Sequence, residues 1–218
     1  MILIRTVAII FFFLAISASL LGCAVFRGNE IPELGTLPSP ADTAKKPTAG
    51  YGFGSAVDMG GKRASHENAR AMHEKEFVEV LRESGYFATV EKGNGKELNL
   101  TVELVDSGDP AALVGAFITG FSLYTIPSWA TNTFELTCKV TTADGKTRDY
   151  VLRDSAVLVQ WLPMMFVFPF KPFSGIEDMR KNLYKNLIVK MREDGLLPPP
   201  GQPAKTSSYL IRIAAQAA

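Results

Sequence analysis

Cysteine and histidine are scarce in this chain of 218 residues, which contains two of each. The histidines, His66 and His73, lie seven residues apart, about 10 Å along a helix, which is too far for both to bind one metal ion directly. We expect both to be solvated on one face of a helix. The cysteines, Cys23 and Cys138, allow at most one disulfide within the chain. The sequence therefore predicts no metal site.

An excess of charge of either sign is missing as well. Lysine and arginine number 23, aspartate and glutamate number 22, and the formal net charge is +1. A protein that binds nucleic acid usually carries a basic patch or stripe, and one that binds anionic lipid electrostatically carries a polybasic segment. The composition therefore predicts that nucleic acid is not a partner.

Catalytic motifs are also lacking. The chain has no His-Glu-x-x-His pattern, and the serine-elbow pattern around Ser122 lacks its second glycine because Tyr124 occupies that position. The glycine-rich segment 50–55 lacks the Gly-Lys-Ser/Thr ending of a phosphate-binding loop. We therefore predict a protein with no catalytic residues and no cofactor.

The chain does contain an N-terminal leader. Arg5 supplies one positive charge, and residues 6–20 are almost wholly apolar. A helix that crosses a membrane needs about 20 apolar residues, so this shorter run is typical of a secretory signal peptide. The run closes on Leu20-Leu21-Gly22-Cys23.

This closing sequence resembles the bacterial lipobox. The resemblance implies a diacylglycerol group on the Cys23 thiol, cleavage after Gly22 and acylation of the new amino terminus, so residues 1–22 are expected to be a signal peptide and Cys23 a membrane anchor. Ala24 follows the cysteine, and by resemblance to enteric lipoproteins this favours the outer membrane, facing the periplasm. The alternative is an uncleaved signal anchor in which Cys23 is an ordinary apolar residue.

Composition divides the remaining chain into three parts. Residues 23–64 are rich in glycine, proline, serine, threonine and alanine with no sustained apolar period, which predicts a lipidated N-terminus and a flexible tether. Residues 65–197 have the regular apolar patterns of a folded domain. Residues 198–218 begin with three prolines and are expected to be a flexible C-terminal tail.

Apolar periodicity predicts the elements of that domain. Helical spacing follows Ser65, and a second helix follows a capping box that begins at Ser174. Between them, clean alternation over 98–104 and 134–140 predicts half-buried antiparallel strands, with Cys138 on the inward face. We therefore expect an α+β fold with an antiparallel sheet of about four to five strands and two helices packed on one face.

This layout, over residues 65–196, loosely resembles small periplasmic α+β lipoproteins that accompany envelope assembly and secretion machines. The resemblance implies a binding or scaffolding role in the cell envelope, with another envelope protein as a possible partner. The alternative is an envelope lipoprotein that is an enzyme or binds a small ligand, with a pocket under the loop 157–173. A deep pocket lined by convergent polar groups would favour that alternative.

Two segments are too apolar for ordinary surface loops, residues 111–126 and 157–173. They complete the core, or form a docking surface for another envelope protein, or contact lipid, because large exposed apolar patches mark interaction sites. If they form a docking surface, aromatic and methionine side chains are the expected anchors. The partner-binding residues predicted on this basis are Trp161, Met165, Phe166 and Phe168.

Overall fold

A computed structural model describes residues 23–41, 44–167, 170 and 174–201 of the chain. The predicted leader, residues 1–22, and residues 202–218 of the predicted tail lie outside the described residues. The described part contains one sheet, three α-helices and one short 3₁₀ helix.

Seven strands form the sheet: β1 (Cys23–Arg27), β2 (Thr48–Met59), β3 (Lys62–Ala64), β4 (Thr89–Lys92), β5 (Leu98–Gly108), β6 (Ser128–Thr142) and β7 (Thr147–Gln160). Their order is β1-β7-β6-β5-β2-β3, and β4 also pairs with β2. The helices are α1 (Glu67–Glu83), α2 (Ala111–Phe121) and α3 (Ser174–Glu193), with the 3₁₀ helix at Leu162–Phe166.

The sheet is mixed, so the predicted antiparallel sheet of four to five strands with two helices is wrong. Strands β5, β6, β7 and β1 pair antiparallel, but β2 runs parallel to both β4 and β5. Parallel neighbours need a crossover connection, and α1 provides it between β2 and the strands that follow. The third helix, α2, comes from the apolar segment that connects β5 to β6.

The prediction of a tether also differs from the structure, because residues 23–64 contain β1, β2 and β3. In β2, Ala49, Tyr51 and Phe53 are buried and alternate with glycines. A Cβ at Gly50 would lie 2.4 Å from the carbonyl oxygen of Gly93, so the close approach of these two backbones requires a glycine. The glycines that suggested a flexible segment are therefore part of a strand.

The core lies between the sheet and helices α1 and α3, and the predictions of these two helices are confirmed. Edge-to-face aromatic packing joins both helices, since the rings of Phe77 in α1 and Tyr184 in α3 lie 5.3 Å apart. Alternation is also confirmed in β5 and β6, and Cys138 is fully buried as predicted. The opposite face of β6 is open, with Thr137 and Lys139 exposed. The sheet is therefore covered by α1 and α3 on one face only.

Candidate functional site

Strand pairing brings the apolar segments to one end of the sheet. Cys23 of β1 and Ser128 of β6 both pair with Gln160, so the start of β1, the start of β6 and the end of β7 lie side by side. Helix α2 precedes β6, and the 3₁₀ helix follows β7. A backbone hydrogen bond of 2.8 Å from the Leu162 N–H to the Tyr124 carbonyl ties these two connections together.

We call this region the apolar end and define it by its exposed large apolar side chains. They come from α2, the loop that follows it, the start of β6, and the 3₁₀ helix together with the residue before it. Its members are Leu113, Val114, Phe117, Ile118, Phe121, Leu123, Ile126, Trp129, Trp161, Leu162 and Phe166. The interpretation that residues 111–126 complete the core is therefore wrong.

Helix α2 has the reverse of the usual amphipathic arrangement. It packs on β6 through small residues, and Gly115 is so close to the strand that a Cβ there would lie 3.2 Å from Cβ of Ser128. Its large side chains point outward, with Phe117 at 74% and Phe121 at 85% exposure. These two rings stack on each other at 6.4 Å. A surface helix normally buries its large apolar residues, so this helix presents an apolar face to something outside the chain.

The loop after α2 holds two residues in a left-handed conformation. Leu123 has φ of 52° and Tyr124 has φ of 63°, a backbone region that residues other than glycine rarely adopt. Hydrogen bonds hold the turn: the Tyr124 N–H donates to the Thr119 carbonyl at 2.8 Å, and the Ser122 hydroxyl donates to the same carbonyl at 3.0 Å. The turn keeps Leu123 exposed, and this local strain is typical of functional sites.

The structure locates the four predicted partner-binding residues as follows. Phe166 is 75% exposed and Trp161 is partly exposed, and both belong to the apolar end. Met165 lies in the 3₁₀ helix, whereas Phe168 lies outside the described residues. The prediction missed the contribution of α2 and of Trp129, because alternation and helical spacing do not say which face of a short apolar helix is buried. A signal was present, since small residues at 112, 115, 116 and 119 share one face.

Charge is absent from both connections that build the apolar end. No charged residue occurs between Asp109 and Glu135, or between Asp154 and Lys171. An interface without charge gains its binding energy from apolar burial, not from ion pairs. Its natural partner is therefore another apolar surface.

The predicted anchor residue Cys23 lies within this end. It is buried at the start of β1, and burial raises the pKa of its thiol, an effect that a hydrogen bond to Gln160 partly offsets. The Ser128 hydroxyl donates to the Gln160 side chain at 3.2 Å, which links the three strands. Burial also raises the pKa of Tyr124, and the neighbouring Cys23 adds to that rise. The Cys23 side chain thus lies near Tyr124 of the left-handed turn.

The side chains best suited to proton transfer lie elsewhere, under helix α1. The Ser55 hydroxyl and His73 Nδ1 lie 3.0 Å apart, and both residues are buried. Burial lowers the pKa of His73, with the nearby Arg180 guanidinium adding to the effect. The expectation of a solvated histidine is therefore wrong for His73, although His66 is exposed.

The Ser55–His73 pair belongs to a polar layer between the helices and the sheet. The Arg180 guanidinium donates to both carboxylate oxygens of Glu76 at 2.9 and 2.7 Å, and burial raises the pKa of the neighbouring Asp106 carboxyl. Nucleophilic catalysis needs a serine that a substrate can reach. Because Ser55 and His73 are nearly closed to solvent, the pair is a hydrogen-bonded part of the core.

Two cavities among the described residues lie beside the apolar segments. One of about 370 Å³ separates α2 from the start of β6 and is lined by Gly115 and Trp129 among others. Another of about 480 Å³ lies beside Phe170, between β1 and the start of α3. Its one arginine, Arg27, is already paired with Glu33 at 3.1 Å and with Asp154 at 3.2 Å.

A membrane-spanning helix and a metal-binding cluster are both absent from the described residues. No helix among them is both long and apolar enough to cross a membrane. No group of three or more histidine, cysteine, aspartate or glutamate side chains among them could hold a metal ion.

Comparison with known proteins leaves the family open, since no family model and no curated protein matches the chain. Three similar solved structures are a PelC dodecamer from Paraburkholderia phytofirmans, a Xanthomonas campestris protein of family DUF330 and a neuraminyllactose-binding hemagglutinin homolog from Helicobacter pylori. Their identities are 12%, 12% and 8%, and their TM-scores 0.29, 0.36 and 0.37. They cover 76%, 74% and 86% of this chain and 94%, 96% and 97% of their own. Likeness at this level carries no argument about function.

Proposed function

We propose that the chain is a lipid-anchored, non-catalytic module of the bacterial cell envelope that binds or scaffolds other envelope components. Its lipid is attached at Cys23, and Ala24 directs it to the outer membrane, facing the periplasm. The lipobox-like sequence that ends at Cys23 supports the anchor. The working surface is the apolar end.

One observation carries this proposal, namely that the exposed large apolar side chains gather at the end of the sheet where Cys23 lies. Isolated exposed apolar residues are ordinary, but a contiguous group marks an interaction site. Val151 shows the contrast, since it is a large exposed apolar residue paired with Thr137 in the middle of the β6–β7 ladder.

Lipidation is tested by metabolic labelling with an alkyne-tagged palmitate in a Gram-negative host, followed by mass spectrometry of the N-terminal peptide. We expect label in the native chain and none in a Cys23→Ala variant. Cys138→Ala removes the other cysteine of the chain and is the matched control, which should keep its label. Equal labelling of the native chain and the Cys23→Ala variant would contradict the proposed anchor.

The working surface is tested by a photoreactive amino acid introduced at Phe166 in living cells. We expect irradiation to give adducts with envelope components, protein or phospholipid, because the side chain at this position is exposed in the apolar end. The same photoreactive residue at Val151 is the control and should give few adducts. Equal adduct yields at the two positions would show that the apolar end is not the binding surface.

A further inference from the structure

The lipid and the folded domain are directly connected. Strand β1 begins at Cys23 and pairs with β7 from its first residue, so no tether separates the predicted acyl chains from the sheet. Three acyl chains on one residue make attachment to a bilayer nearly permanent. The end of the sheet that contains Cys23 must therefore lie at the surface of the leaflet that holds those chains.

We propose that the apolar end inserts into the interfacial region of that same leaflet, so that the domain is held by its side chains as well as by its lipid. This inference rests on the proposed lipidation of Cys23. The occupant of the apolar surface is then the lipid bilayer and not another protein. Continuity supports this placement, since Cys23, which would carry the acyl chains, lies at the same end of the sheet as the exposed aromatic side chains.

Helix α2 has the properties of an interfacial segment. Eleven residues at about 1.5 Å each give a length of about 16 Å, which is too short to cross a bilayer but suits a helix lying along its surface. Its small residues face the domain, and its outward residues form an apolar stripe: Leu113, Val114, Phe117, Ile118 and Phe121. A stripe of this kind buries its apolar face in the boundary between headgroups and acyl chains.

The residues around the helix fit the same boundary. Both tryptophans of the chain, Trp129 and Trp161, belong to the apolar end, and tryptophan is enriched at membrane–water interfaces. The stretches without charge, from Asp109 to Glu135 and from Asp154 to Lys171, remove the desolvation cost that a buried charge would impose. Charged residues are found on β5, β6 and β7 farther from this end, such as Glu103 and Lys139.

The tryptophans also supply the test, because they are the intrinsic fluorophores at the proposed contact. The lipidated full-length protein is reconstituted into phosphatidylethanolamine–phosphatidylglycerol vesicles that contain a phospholipid brominated near the top of its acyl chains. Trp129→Phe and Trp161→Phe variants report the two positions separately. We expect bromolipid to quench both tryptophans and the vesicles to protect both from aqueous acrylamide.

A paired substitution shows whether α2 holds this end in the bilayer. In a Phe117→Glu, Phe121→Glu variant we expect the loss of most bromolipid quenching, because charge at the bilayer surface drives the helix out. Both side chains are more than two thirds exposed, so the fold does not depend on them. Val151→Glu adds a charge to the exposed part of β7 far from Cys23 and should leave the quenching unchanged.

Three other results of the quenching experiment would contradict either the inference or the proposed anchor. If both tryptophans are open to acrylamide and not quenched by bromolipid, the domain stands away from the leaflet and the inference is wrong. If they are protected from both quenchers, a second copy of the chain covers the apolar end, and the inference is again wrong. In either case the vesicles still carry the lipidated protein on flotation. If the mass of the N-terminal peptide shows no lipid, the proposed anchor fails and the inference fails with it.

Discussion

At the scale of single residues, two glycines of β2 provide a matched pair. A Cβ at Gly50 would lie 2.4 Å from the carbonyl oxygen of Gly93, whereas a Cβ at Gly52 would have no heavy atom within 4 Å. We expect Gly50→Ala to lower the free energy of unfolding by about 1–3 kcal/mol, because the backbone of Gly93 must move. Gly52→Ala should raise it by about 0.4–1 kcal/mol, because the unfolded chain loses conformational freedom.

Urea denaturation of the two variants measures this difference. Comparable destabilisation in both would mean that β2 needs glycine for chain flexibility and not for its contact with Gly93.

A second residue-scale prediction concerns His73 and the dependence of stability on pH. Burial and the nearby Arg180 lower the pKa of His73 in the folded chain, while Glu76 raises it by less. The unfolded chain therefore binds the proton more readily, at about pH 6.5, where a free histidine titrates. Stability should be fully present above that pH and fall as the pH decreases through the range between the unfolded and folded pKa values.

The measurement is the urea midpoint between pH 7.5 and pH 5 for the native chain and for His73→Asn. The variant should have the weaker pH dependence over this range. His66→Asn is the control, since it removes an exposed histidine without touching the pair with Ser55. Asp106 acts in the opposite direction, because burial raises the pKa of its carboxyl and favours the folded state at lower pH. An identical slope in the native chain and His73→Asn would show that His73 does not resist protonation.

At the scale of elements, the ion pair between Glu76 of α1 and Arg180 of α3 joins the two helices. The pair is bidentate, and the side chains are only 9% and 8% exposed. The Arg180 guanidinium also lies 5.7 Å from the centre of the Phe134 ring, on the sheet beneath. Glu76→Ala or Arg180→Ala should each lower the free energy of unfolding by about 3–5 kcal/mol, because each leaves its partner buried and unpaired.

Replacing both residues together separates the loss of the ion pair from the cost of leaving one buried charge unpaired. A Glu76→Leu, Arg180→Met variant should be less destabilised than either alanine variant, because no buried charge is left without a partner. Lys45→Ala breaks the exposed pair with Glu97 and should leave the free energy of unfolding almost unchanged, because water and salt screen that pair. Additive losses in the double variant would contradict a coupled pair.

The elements also show how far the sequence predicts this fold. Helices α1 and α3 and the inward faces of β5 and β6 follow from apolar periodicity, because each buries one continuous face against a single core. Strand β2 could not be predicted in this way, because glycines occupy its outward positions and removed the polar half of the alternation. The parallel pairing of β2 with β5 depends on the chain crossing over through α1, which local patterns do not encode.

The candidate site was predictable only in part, because the exposure of an apolar segment depends on the tertiary fold and not on local patterns. Composition identified both apolar segments and named Trp161 and Phe166, which the structure finds exposed. Whether such a segment is core or surface depends on what lies opposite it in the fold. Strand register, which brings Cys23 beside Ser128 and Gln160, depends on the whole sheet.

At the scale of the whole molecule, the thiol of Cys138 reports on the stability of the complete core. It lies in β6, which has neighbours on both sides, and burial raises its pKa to about 12, with Asp149 adding to the rise. Iodoacetamide reacts with the thiolate, so it should not modify Cys138 in the folded chain at pH 8. In concentrated urea the same thiol should react completely.

The native-state reaction, followed by mass spectrometry over hours, should then proceed only through global unfolding. Gly50→Ala should speed the reaction about tenfold for each 1.4 kcal/mol by which it lowers the free energy of unfolding. Rapid modification of the native chain would show that β6 opens locally, and that the sheet is not one cooperative unit.

The end of the sheet opposite Cys23 differs from the apolar end, because charged residues lie there. Glu97 lies beside the pairing of Leu98 with Thr142, at the opposite end of the ladder from Cys23, and it lines a groove with Lys45 and residues 195–199. The 15 residues of β6 span about 50 Å between the two ends. A domain whose apolar end lies on the leaflet would therefore extend away from the membrane along its strands. The groove lined by Pro198 and Pro199 would then lie one strand length away from the lipid.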